Sequence, residues 1–81
     1  MTEITKEWKD LSPFQIICCL AAHATPLGLD HRNARHMKTM RRIFDLGEPR
    51  ITLTYIESQI ISCRIDDVSV GVMNVLIKQY L

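Results

Sequence analysis

The chain has 81 residues, 47% of them hydrophobic and 23% charged, and a formal net charge of +1. That length predicts a single domain, residues 1–81, with a core small enough for oligomerisation to help it, and the wealth of Ile, Leu and Val excludes a disordered chain. A charge balance this close to neutral excludes a general attraction to nucleic acid or anionic lipid, so any such attraction has to come from local clustering.

The N-terminal stretch MTEITKEWKD carries charges of both signs and no apolar core or small-residue cleavage site, so no secretory signal is expected. Ile4, Trp8 and Leu11 fall at helical spacing with Thr2 as a cap, which predicts a short amphipathic helix anchored by Trp8 and stopped at Ser12 by Pro13. Ser12, Pro13 and Gln15 then have the order of N-cap, first helical residue and capping-box partner, opening a helix that ends before Thr25-Pro26. Because FQIICCLAAHA is apolar almost all round, that helix is expected at the centre of the fold. Leu11 to Leu29 lacks acidic and basic residues, yet Ser12, Gln15, His23, Thr25 and Pro26 interrupt it, and a membrane span is not expected. Its two cysteines, Cys18 and Cys19, are adjacent and with Cys63 make an odd number, which disfavours a disulfide framework and points to the cytoplasm.

Asp30 is the expected N-cap of the next helix, which should run to Leu46 and stop at Gly47 and Pro49. Its first twelve residues after that cap, HRNARHMKTMRR, hold five of the ten lysines and arginines and no acidic residue. Met37, Met40 and Phe44 share one helical side with Ala34, while His31, Arg35, Lys38 and Arg42 share the other. A solvated helix face normally intersperses acids among its bases. The pattern therefore predicts a cationic docking face made of His31, Arg32, Arg35, Lys38, Arg41 and Arg42, with His36 as a weaker addition. The competing reading is a solvated face whose cations pair with Asp10, Asp45 or Glu48 of the same chain.

Residues 50–66, RITLTYIESQIISCRID, alternate as a two-faced hairpin, with Leu53 opposite Cys63, Ile51 opposite Ile65, Tyr55 opposite Ile61 and Ile56 opposite Ile60 on the apolar face. Thr54 with Ser62, Thr52 with Arg64 and Arg50 with Asp66 form the polar face, around a three-residue loop Glu57-Ser58-Gln59. The last segment, DVSVGVMNVLIKQYL, is read as a helix capped by Asp67. Its apolar surface, Val68, Val72, Val75, Leu76, Ile77 and Tyr80, predicts a homodimer interface.

These elements add up to a small α+β domain, helices packed with one antiparallel hairpin and a C-terminal helix, with an all-α arrangement as the alternative. The order from Pro13 to Asp66 resembles in outline a winged-helix DNA-binding domain. The residues from Ala24 to Asp30 leave no room for the helix that should precede the recognition helix, and no family is assigned. Cys19 and His23 stand four apart and could be drawn as zinc ligands or as nucleophile and base, but further ligands, an orienting group and an oxyanion donor are missing from the pattern. No catalytic residue, metal or cofactor is therefore assigned. The functional expectation is a small non-catalytic binding protein that docks on nucleic acid, or alternatively an inhibitor or adaptor of the phage or mobile-element type acting on an acidic protein surface.

Overall fold

The computed structural model describes residues 1–80 and is an α+β fold. Strand β1 (Thr2–Glu7) leads through a 3₁₀ turn (Trp8–Asp10) to helices α1 (Pro13–Ala24) and α2 (Ala34–Gly47), followed by strands β2 (Arg50–Ile56) and β3 (Gln59–Ile65) and helix α3 (Asp67–Tyr80). The strands form one antiparallel sheet in the order β1-β2-β3. The all-α alternative is excluded.

The first element corrects the expected helix. Thr2, Ile4 and Thr5 are β-branched, and every residue from Thr2 to Glu7 finds a partner on β2, from Thr2 opposite Tyr55 to Glu7 opposite Arg50. Paired strand outcompetes a helix too short to hold itself together in water. Trp8 is still the anchor: its ring lies edge-on to Phe44 with centroids 4.9 Å apart, and its Nε1–H donates to Asp45 Oδ1 at 2.6 Å.

The hairpin keeps the expected pairs Ile51–Ile65, Thr52–Arg64, Leu53–Cys63 and Thr54–Ser62 and differs at its tip. Glu57 and Ser58 alone make the loop, both at positive φ (50° and 69°), and Tyr55 pairs with Ile60 and Ile56 with Gln59. The register shift between Thr54 and Tyr55 leaves Ile61 as the bulged residue, half in solvent. Two positive-φ residues suit the right-handed twist of a two-residue hairpin, and the bulge takes up the residue that a longer loop would have used.

At α1 the capping box is complete: the Gln15 backbone N–H donates to Ser12 Oγ (3.2 Å) and the Ser12 N–H to Gln15 Oε1 (2.9 Å). The helix is not central, however. It buries Cys19, Leu20 and Ala24 and leaves Phe14 67% and Ile17 61% exposed. At α2 the N-cap is Asn33, whose Oδ1 accepts from the N–H groups of Arg35 and His36, in place of Asp30. Asp30 is occupied one turn earlier, accepting from the Arg32 N–H at 2.9 Å. Gly47 closes α2 from inside the helix, and Glu48 takes the left-handed position at φ 44°. At α3 the cap is Asp66, not Asp67: its Oδ1 accepts from the Ser69 N–H at 2.8 Å, and the hydroxyl of Ser69 accepts from the Arg50 N–H.

The core lies between the helices and one sheet face, where Ile51, Leu53, Cys63 and Ile65 meet Trp8, Leu20, Met40, Ile43 and Phe44. Met73 of α3 is buried with them. The other sheet face is polar, with Thr5 and Thr52 sharing a hydrogen bond at 3.1 Å, as suits an antiparallel sheet with one wet side. Among the described residues no helix is long and apolar enough to cross a membrane.

Candidate anionic-partner interface

Helix α2 is amphipathic because Met40, Ile43 and Phe44 recur at helical spacing and are buried, turning Arg35, Lys38, Arg41 and Arg42 outward. His31 and Arg32 precede the helix, in the turn that Asp30 holds, so they extend the cationic surface beyond its first turn instead of continuing its face. His36 is half-buried, and its Nδ1 accepts from the Asp30 backbone N–H at 3.0 Å, which engages it in the loop rather than at the surface.

The expected cations divide by partner. Arg41 Nε meets Asp45 Oδ1 at 3.3 Å, the same oxygen that holds Trp8. Arg42 lies over the ring of Tyr80, 5.1 Å from its centroid. Exposed pairs of both kinds are worth roughly 0–1 kcal/mol, so either arginine is recruited to another anion at small cost. Among the described residues, His31, Arg32, Arg35 and Lys38 have no carboxylate within ion-pair distance.

The helix dipole sharpens that asymmetry. The first turn of α2 holds no acidic residue, the last turn holds no basic one, and Asp45 lies near its C-terminus. Charges placed this way oppose the dipole, at about 0.3–1 kcal/mol each, and concentrate positive potential at the N-terminal end. An anion there would meet exposed guanidinium, ammonium and imidazole groups together with the positive pole of the helix.

The residues assigned to a homodimer interface are split. Val68, at 81% exposure, Val72 and Val75 form an outward line on α3. Leu76 and Ile77 pack against the core, and Tyr80 sits under Arg42. Leu81, the end of that segment, lies outside the described residues. An exposed apolar pair on α1, Phe14 and Ile17, was hidden in sequence because nothing in an all-round apolar helix marks the side that stays uncovered.

Cys19 is buried in the core, and His23, four residues on along α1, is half-buried with its Nε2 enclosed. Burial pushes the thiols of Cys19 and Cys63 up and the imidazole of His23 down, which keeps the thiols protonated and the ring neutral at neutral pH. Among the described residues no three His, Cys, Asp or Glu side chains come together as a metal site. The chain matches no protein family's model, no curated protein and no solved structure.

Proposed function

We propose that this is a non-catalytic binding protein that docks the basic end of α2 on an anionic macromolecule, nucleic acid in the first instance. The observation that carries the reading is the set of exposed side chains His31, Arg32, Arg35 and Lys38, without carboxylate partners among the described residues and gathered at the positive pole of the helix. A charge distribution that costs helix stability fits a surface kept for a ligand. Arg32, Arg35 and Lys38 supply phosphate contacts, each releasing counterions, and the exposed His31 lies beside them. Arg41 and Arg42 join by leaving Asp45 and Tyr80. The free thiols Cys18, Cys19 and Cys63 support a reducing, cytoplasmic setting.

The test is a salt titration of binding to mixed-sequence DNA and RNA. Arg35→Ala and Lys38→Ala should each weaken binding evenly across sequences and lower the salt slope by about one unit. Arg41→Ala and Arg42→Ala should lower it less, because part of their charge is already engaged. A wild-type protein with no salt-dependent binding to either polymer would end the nucleic-acid reading.

A second reading, an inhibitor or adaptor acting by protein contact, is favoured by a different observation: the exposed apolar residues Phe14 and Ile17 on α1 and Val68, Val72 and Val75 on α3. Such residues suit the centre of a protein interface with the basic end of α2 as its charged rim. Capture of a single acidic protein, lost in Phe14→Ser and in Arg35→Ala alike, would favour it.

A further inference from the structure

The sheet has two edges, and they are guarded unequally: β1 has only its charged side chains, Glu3, Lys6 and Glu7, to deter an added strand. β3 carries the bulge at Ile61 and packs against α1, two features that deter an added strand. β1 pairs with β2 on one side only, in an unbroken register from Thr2 to Glu7, and contains no proline. All its residues are exposed or half-buried, and alternate N–H and C=O groups along its far side face solvent. On the face shared with the core, Ile4 is 41% exposed and borders an open cavity of about 300 Å³ lined by Thr2, Ile4, Tyr55 and Ser58.

We propose that β1 pairs antiparallel with β1 of a second copy of the chain, Ile4 opposite Ile4, so that two three-stranded sheets become one of six strands. The register follows from symmetry and charge. A two-fold axis perpendicular to the sheet keeps the core-side faces of both copies on the same side, so Thr2, Ile4 and Lys6 can oppose only one another, as can Glu3, Thr5 and Glu7. Centring the axis on Thr2 or Glu7 leaves a single residue of the strand paired; centring it on Glu3 sets two carboxylates face to face; centring it on Thr5 opposes Glu3 and Glu7; centring it on Lys6 opposes two ammonium groups. Like charges directly opposite destabilise a strand pair. Centring on Ile4 opposes none: Thr2 faces Lys6, Glu3 faces Thr5, and the Glu3 carboxylates are moved to the diagonal. The same register lays the partner's Ile4 beside the first and covers the cavity. This occupant satisfies the edge hydrogen bonds, the exposed isoleucine and the charge pattern together. The pairing is independent of what α2 binds, and it is a different homodimer contact from the α3 surface expected from sequence.

Sedimentation velocity of the full chain over about a hundredfold concentration range tests it. A monomer–dimer equilibrium is expected, weakened about tenfold or more by Ile4→Lys, which sets two ammonium groups on the axis, and unchanged by Val72→Glu. Circular dichroism should show Ile4→Lys to be folded, as expected for a residue this exposed. Under mild oxidation Ile4→Cys should form an intermolecular disulfide that Thr5→Cys does not, above the background set by the native cysteines, and this result stands even if the lysine variant misfolds. A chain monomeric throughout, cross-linking at Thr5→Cys instead, or a dimer lost in Val72→Glu and kept in Ile4→Lys would overturn the proposal.

Discussion

His23 turns its ring toward Phe44, centroids 6.3 Å apart, and its Nε2 is buried without a hydrogen-bond partner. Burial lowers its pKa, and a backbone hydrogen bond at Cys63 opposes that only in part. The unfolded chain takes up the proton near pH 6.5 and the folded chain only at lower pH, so below about 6.5 the unfolded state holds more protons and stability falls as pH falls. Asp66 acts in the same direction at more acid pH: its hydrogen bonds with Ser69 hold the carboxyl below its usual range, and that stabilisation is lost as the group protonates. Urea unfolding should show a midpoint that falls from about pH 7 to about pH 5, and His23→Leu should flatten that decline while leaving in place the further loss that Asp66 brings when the titration is continued to about pH 3. A wild-type midpoint constant over that range would mean the ring reaches water in the native state.

At the scale of elements, the hairpin distinguishes what a local pattern reveals from what it hides. Alternation over Ile51 to Thr54 and Ser62 to Ile65 was readable because one-residue slips would turn every apolar side chain outward. The tip was not readable, since Glu57-Ser58 carries no Gly or Asn to mark positive φ. Consequently Tyr55 and Ile61, which looked like a core pair, have parted, and Ile61 has gone to the bulge. Leu53→Ala should cost about 2–5 kcal/mol as a core truncation and Ile61→Ala under about 1 kcal/mol. Replacing Glu57-Ser58 by Asn-Gly should raise stability by about 1 kcal/mol, and thermal melts of the three variants check the set. In α2 the apolar stripe and the C-terminal stop were legible, whereas the start was not, because Asp30 and Asn33 are both good caps and the loop hydrogen bonds decided between them. β1 mimicked a helix because Ile4, Trp8 and Leu11 have the right spacing, and the strand partner that overrides it lies far along the chain.

At the scale of the whole molecule, the helices cover one side of the sheet and leave the other to water, so there are too few elements to surround any helix. That is why α1, apolar nearly all round, still has an outward side, and why α3 buries only Met73 completely. The outward turn of Arg35, Lys38, Arg41 and Arg42 was legible in the sequence; the withdrawal of His36 into the loop and the division of the cations were not, because the hydrogen bond of His36 with Asp30, the pairing of Arg41 with Asp45 and the stacking of Arg42 on Tyr80 depend on the rotamers and docking of neighbouring groups. The α3 residues should divide likewise. Val68→Lys and Val75→Lys should each shift stability by no more than about 0.5 kcal/mol, while Leu76→Ala, which removes packing against the core, should lower it by more than about 1 kcal/mol in chemical denaturation.

The pairing of β1 with β2 also orders the assembly of the chain. Ile56 and Gln59 meet across a two-residue loop, whereas Glu7 and Arg50, the nearest β1–β2 partners in sequence, have both α1 and α2 between them. Closing the longer loop costs more chain entropy before any contact rewards it, so the hairpin can form early while β1 waits for the helices to bring its ends together. β1 is thus the late-arriving strand and, with its residues open to solvent, the one whose departure sacrifices the least buried surface. The arm of the sheet that joins last is the one least committed to its own chain.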